Sequence, residues 1–216
     1  MEKRRAITAE DLYRIYVLNE PQLSPDGSTF AYIRKQMNSE KEYTSNLFVQ
    51  STVENKPTQW TFGKEKVSSP RFSPDGEYIV YVGKKEKDEE SQLYLISTCG
   101  GESKPLTKLK NGVAQPIWSP SGKKILFACF YKENEIPNDN HNNKTPEKKT
   151  ERKEPLIVER LTYKSDANGF LDGKRKQLAI YDVETEKITF LTNSDTDHEP
   201  WGWSPDEKKI VFSANK

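Results

Sequence analysis

A turn-forming pattern that recurs four times, a strand-like run after every copy and a repeat interval in the forties predict an all-β chain. The expected fold is a β-propeller of four-stranded antiparallel blades, about three and a half of them, in an incomplete ring with a short N-terminal helix. Composition agrees: of 216 residues only 33% are hydrophobic while 31% are charged and 11% aromatic, which suits surface strands and loops better than a thick helical core.

The pattern is a proline, a spacer, an apolar residue and then Ser-Pro-Asp-Gly or a variant, at residues 21–27, 70–76, 116–122 and 200–207. From Ser24 to Ser73, Ser119 and Ser204 the intervals are 49, 46 and 85 residues. In the first copy Pro25 presets φ at the second turn position, Asp26 tolerates the third, and Gly27 accepts the left-handed conformation that follows. Glu207 stands where the other copies have glycine, at a cost of roughly 1 kcal/mol if its φ is positive.

Each turn leads into a run rich in Ile, Val, Phe and Tyr, at 29–33, 77–82, 124–130 and 209–212. Third strands are expected at 46–50 and 92–97, and short fourth strands at 58–62 and 104–106. The strand before each turn lines the axis, so Leu23, Phe72, Trp118 and Trp203 are expected between neighbouring blades. Residues 132–156 are nearly devoid of apolar side chains and read as a solvated insertion between the second and third strands of the third blade. Strand character resumes at 156–163, 177–182 and 187–191. The expected organisation is a helical segment at 1–19, blades at 20–64, 65–111 and 112–194, and a half blade at 195–216. Before the first blade, Thr8 caps a helix with Glu10 and Asp11 in its first turn. Its Leu12, Ile15 and Tyr16 are expected to cover the rim.

Thirty-four basic against 33 acidic side chains leave a formal charge of +1, which excludes a global field for nucleic acid or an anionic membrane. Neither is expected as a partner. No apolar run follows Met1-Glu2-Lys3-Arg4-Arg5, and none is long enough to span a bilayer, so the expected compartment is the cytoplasm. Cys99 and Cys129 are then reduced thiols, one in a loop and one on a core strand. The sequon at Asn143 carries no weight without secretion.

No catalytic, metal-binding or cofactor-binding residue is assigned. None of the eleven glycines forms the G-x-S-x-G elbow of a serine nucleophile; His141 lies in the polar insertion and His198 in a loop before Pro200. The acids around His198 (Asp195, Asp197, Glu199) read as a solvated connection rather than a metal site. Lysine tracts at 84–87 and 148–153 are interleaved with glutamate and read as solvated loops. Gly100-Gly101 is a tight connection, not a phosphate cradle. Trp118 and Trp203 read as core packing. Trp201 is the one candidate for a substrate-facing side chain.

Two stretches are more specific than the turns. Ile7-Thr8-Ala9-Glu10-Asp11-Leu12 leading to Leu23-Ser24-Pro25-Asp26-Gly27 resembles the start of acylaminoacyl-peptidase-like members of the prolyl oligopeptidase superfamily of serine peptidases. So does Glu159-Arg160-Leu161-Thr162-Tyr163-Lys164, followed by Gly169-Phe170-Leu171-Asp172-Gly173 and residues 178–183. The resemblance implies a propeller that gates short peptides into an α/β-hydrolase domain, which these residues do not contain. It implies no activity for this chain alone. Turns of this type also occur in Tol-system propellers, so a stand-alone interaction scaffold is the other expectation. Three and a half blades cannot close a ring, and open edges invite self-association or a complementing chain.

Overall fold

The computed structural model describes residues 5–85, 88, 90–137, 164–165, 169–170 and 173–215. Blade 1 comprises β1 (Val17–Leu23), β2 (Thr29–Met37), β3 (Tyr43–Ser51) and β4 (Thr58–Gln59). Blade 2 comprises β5 (Lys66–Phe72), β6 (Tyr78–Lys84), β7 (Gln92–Ser97) and β8 (Lys104–Pro105). In the third, β9 (Val113–Trp118) and β10 (Lys124–Tyr131) precede a small hairpin, β11 (Lys164–Ser165) and β12 (Gly169–Phe170), before β13 (Arg175–Asp182) and β14 (Ile188–Phe190). The last two strands, β15 (His198–Trp203) and β16 (Ile210–Ala214), pair with each other in a two-stranded sheet and with no other strand among the described residues. Within every blade neighbouring strands are antiparallel, and one parallel pair, Ser45 with Lys66, joins blades 1 and 2. Because β10 pairs directly with β13, the insertion lies between second and third strands as its composition predicts. The expected strand at 156–163, the sequon, His141 and the 148–153 tract lie outside the described residues.

The four turns are built alike. In the first, Ser24 Oγ donates to Asp26 Oδ1 at 2.6 Å and accepts from the Thr29 amide at 3.0 Å, while Gly27 N donates to Ser24 O at 2.9 Å. Ser73 with Asp75 and Ser204 with Asp206 repeat the arrangement. A serine so placed satisfies the amide that opens the second strand, which an alanine cannot do. Gly27, Gly76 and Gly122 have φ of 71°, 76° and 73°, and Glu207 adopts 57° in the same place.

The third turn has Ser121 where the others have aspartate. The two departures meet: the Glu207 carboxylate accepts from the Ser121 amide of the neighbouring turn. The fourth turn thus returns a carboxylate to the one that lacks it. That contact also holds the Glu207 carboxyl below its ordinary range, the Ser121 hydroxyl being the first cause.

A second repeated device sits at the opposite end of each blade, and the turn pattern gives no hint of it. Gln92 Oε1 accepts from Thr107 Oγ1 at 2.9 Å and from Leu109 N at 2.8 Å; Gln92 Nε2 donates to Leu109 O, and Thr107 Oγ1 accepts from Leu93 N. Gln177 with Thr192, and Asn46 with Thr61, form the same clamp, each pair fifteen residues apart. It ties the third strand to the chain segment leaving the fourth. Gln177 is fully buried, so these bonds replace all contact with water.

Two apolar cores fill the gaps between blades. Ala31, Ile33, Leu47, Val67, Ile79 and Tyr81 lie between blades 1 and 2, and Val80, Val82, Leu93, Ile125, Phe127 and Cys129 between blades 2 and 3. Tyr81 and Phe127 are wholly buried, and burial of the Phe127 ring contributes roughly 1.5–3 kcal/mol. The first strands are also hooked in succession, as Trp118 Nε1 donates to Arg71 O at 3.1 Å and Trp203 Nε1 to Ile117 O at 3.3 Å. Phe72, Trp118 and Trp203 are half-buried between blades.

Three expectations are corrected. Leu23 is 62% exposed, because no blade lies on its side among the described residues. The N-terminal helix is a six-residue 3-10 helix, Ala9–Arg14, with no buried residue, and Leu12, Ile15 and Tyr16 are about half exposed. Asp11 accepts from Thr8 N at 2.9 Å and pairs with Arg5, which holds its carboxyl near 2. Beyond the helix, the Tyr16 ring lies 3.4 Å from the Arg34 guanidinium, which also faces Phe48.

Candidate functional site

The inner strands carry the irregular backbone. In β1, β5 and β9 the residue before the proline of the repeat, Glu20, Ser69 or Gln115, has φ of 54°, 53° or 55°, and each strand has a register shift there. Such bulges turn side chains out of the sheet. The Glu20 carboxylate accepts from the Ser69 amide, linking blades 1 and 2. Gln115 Nε2 donates to Glu199 Oε1, and Lys176 Nζ meets Glu199 Oε2 at 2.7 Å. Those partners, Lys176 first, hold the Glu199 carboxyl below its ordinary range. Gln115 Oε1 is buried without a hydrogen-bond partner.

Trp201 follows from the same geometry. The last copy sets its proline one residue further from the serine than the other three, yet β15 has the same one-residue bulge, between Pro200 and Gly202. Three residues before Ser204, Trp201 stands where Pro21, Pro70 and Pro116 stand in the other copies. It is 67% exposed, with Nε1 donating to Ser213 Oγ at 3.1 Å. A rigid amphipathic ring held in this way can stack on an extended ligand.

Two open clefts flank the join of blades 1 and 2. The larger, about 760 Å³, is lined by Asn19, Glu20, Lys35, Tyr43, Lys66 and Ser68 among others, with Lys35 Nζ 4.7 Å from the Tyr43 ring centre. The smaller, about 310 Å³, lies at the turn end between Ser24–Thr29 and Asp75–Gly76. Mixed charges, amides and hydroxyls suit polar, extended ligands rather than an apolar small molecule.

The acidic connection differs from its expected solvated form. Asp195 Oδ1 meets Arg175 Nε at 3.2 Å and Asp197 Oδ1 accepts from Lys176 N at 2.8 Å, so these acids fasten β15 to β13. His198 opens β15 rather than lying in a loop; it is buried, with Nδ1 3.3 Å from Lys176 O and its ring against Phe212. No serine, threonine or cysteine side chain bonds to it among the described residues. Nor do three His, Cys, Asp or Glu side chains gather there in a way that could hold a metal ion. Lys85, expected in a solvated loop, donates to Ser103 Oγ at 2.9 Å and lies over the Tyr94 ring. Cys129 is fully buried on β10, burial pushing its thiol up to about 12, and Cys99 is exposed. No described helix is long and apolar enough to cross a membrane.

Comparison with known proteins extends this picture. Over 215 residues the chain is 38% identical to the uncharacterized peptidase YuxL of Bacillus subtilis, covering 98% of this chain and 32% of that protein. It therefore spans about a third of that relative. An acylaminoacyl peptidase structure superposes with a TM-score of 0.67 at 17% identity, over 93% of this chain and 28% of that one. The propeller domain of the trilobed protease from Pyrococcus furiosus gives 0.57 at 16%, over 93% and 49%. These structural likenesses establish the propeller fold. The family model described as the TolB beta propeller domain matches residues 11–216, and the chain belongs to that family.

Proposed function

We propose that this chain is the non-catalytic propeller portion of a serine peptidase of the acylaminoacyl-peptidase type, restricting which peptides reach a hydrolase domain carried outside these residues. The observation that carries the reading is the 38% identity to a peptidase across nearly the whole chain. The exposed Trp201, the polar inner-strand side chains and the clefts beside them supply the peptide-facing chemistry. His198 is buried against Phe212, and among the described residues no serine, threonine or cysteine side chain bonds to it.

The test replaces the corresponding third of the Bacillus subtilis relative with this chain. The chimera should cleave a short chromogenic peptide yet spare the same sequence embedded in a folded protein. A chimera that cleaves the short peptide and the embedded one at equal rates would refute gating. The chain alone should turn over neither.

A second reading is a stand-alone interaction scaffold, favoured by the family itself, whose model is a TolB-type propeller. Failure of the chimera to discriminate by size, together with stable monomeric behaviour of the 216-residue chain, would favour it.

A further inference from the structure

The junction of blades 1 and 2 holds an acid that the junction of blades 2 and 3 does not. Eight residues before the turn serine the third blade has Asn111, whereas the second has Glu65, whose carbonyl accepts from Ser45 N at 3.2 Å. With the Ser45–Lys66 pair, and the Ser45 hydroxyl donating to Val67 O at 2.9 Å, this bond makes the parallel join between the two blades. The Glu65 side chain is half-buried, and its Oε2 is buried without a hydrogen-bond partner.

The wall on the blade 2 side is polar to match. Counting from the turn serine, the eighth and twelfth residues are Phe127 and Tyr131 in blade 3, both buried, but Tyr81 and Lys85 in blade 2. Lys85 is committed elsewhere, with Nζ on Ser103 Oγ at 2.9 Å and over the Tyr94 ring. Asp88 Oδ2 accepts from Tyr94 Oη at 2.6 Å and from Lys85 N at 3.0 Å. Burial pushes the Glu65 carboxyl above its ordinary range, Lys85 opposing the shift and Asp88 adding to it. On the blade 1 side Ser45 is uncharged, and Lys64, next in the chain, meets Glu40 at 2.6 Å. Burial raises the Tyr81 and Tyr94 hydroxyls too, Tyr81 to about 12, so both keep their protons at neutral pH.

We infer that Glu65 is a proton-operated latch between blades 1 and 2: with its proton bound it tightens the join at Ser45, and ionised it loosens the join by placing an unpaired charge there. Ser45, Lys66 and Val67 also line the 760 Å³ cleft, so a loosened join widens this cleft. A carboxyl raised on folding gives stability that is present below the ordinary value near 4 and is lost as pH rises through the folded value. The sign is opposite to that of Asp26 in the first turn. The latch needs no hydrolase domain.

The test is amide hydrogen exchange of the 216-residue chain at about pH 5 and about pH 7.5, corrected for the intrinsic dependence of exchange on pH. Protection at Ser45 should fall about threefold or more from the lower to the higher pH, with a smaller change at Phe127 in the next junction. Glu65→Gln should keep the higher Ser45 protection at both. Constant protection at Ser45, a fall matched at Phe127, or a fall that persists in Glu65→Gln would overturn the latch. The Glu65 carboxyl carbon resonance in the unaltered chain gives a second reading. It should titrate above the ordinary value near 4, and a midpoint at or below that value would overturn the latch whatever the variant does.

Discussion

At the Ser-Pro end of each blade a hydroxyl closes a turn to an amide five residues away, whereas at the opposite end a buried amide side chain seizes a threonine fifteen residues away. The first device is local, although its serine is buried in three of the four turns, as Ser24, Ser73 and Ser119. The second is internal and is assembled only once two strands have paired. This difference separates what shapes a hairpin from what locks a blade, and it ranks the consequences of breaking each.

Gln177→Ala should be the most damaging single change. It strands Thr192 Oγ1 and the Ser194 carbonyl, and denaturant unfolding should show a loss of about 3 kcal/mol. A loss below that of the turn serines would reverse the ranking. Ser73→Ala removes one hydroxyl from a turn and should cost about 1–2 kcal/mol by the same measurement.

The coupled third and fourth turns sharpen the comparison further. Ser121→Asp alone places a second carboxylate beside Glu207, and Glu207→Gly alone leaves the third turn without one. Combined, they restore the ordinary pattern in both turns. The double variant should be more stable than the sum of the single changes predicts, with a coupling of about 1 kcal/mol. Strict additivity would show that the contact is incidental.

The smallest effect per group is the response to acid. Asp26 is held down to about 2, by the Ser24 hydroxyl first and Ser28 second, and Asp75 and Asp206 are lowered by their serines. Folded values below unfolded ones give stability that is present above the ordinary carboxylate range near 4 and is lost as pH falls toward 2. Unfolding midpoints recorded across this window should decline, and less steeply when Asp26 is replaced by Asn.

The same contrast explains how much was legible from sequence. The turns, the second strands and the site of the insertion were readable because each depends on a few contiguous residues with fixed backbone demands. The amide–threonine clamp was not, although Gln-Leu and Leu-Thr recur at constant spacing in blades 2 and 3, because its meaning lies in strand pairing. Leu23 was misplaced because burial belongs to neighbours and not to a motif. Trp201 is legible as an aromatic residue beside the last turn, but its exposure is not, because it depends on a bulge that all four inner strands share and at which the other copies have proline. The acids near His198 were read as solvated because their partners, Arg175 and Lys176, lie on another blade.

The fan of successive blades is tested most directly by nuclear Overhauser contacts of the tryptophan indole protons. Cross-peaks should run from Trp118 Hε1 to backbone protons of Arg71 and Phe72, and from Trp203 Hε1 to those of Ile117 and Trp118. Indole protons that show contacts only within their own hairpins would contradict the arrangement.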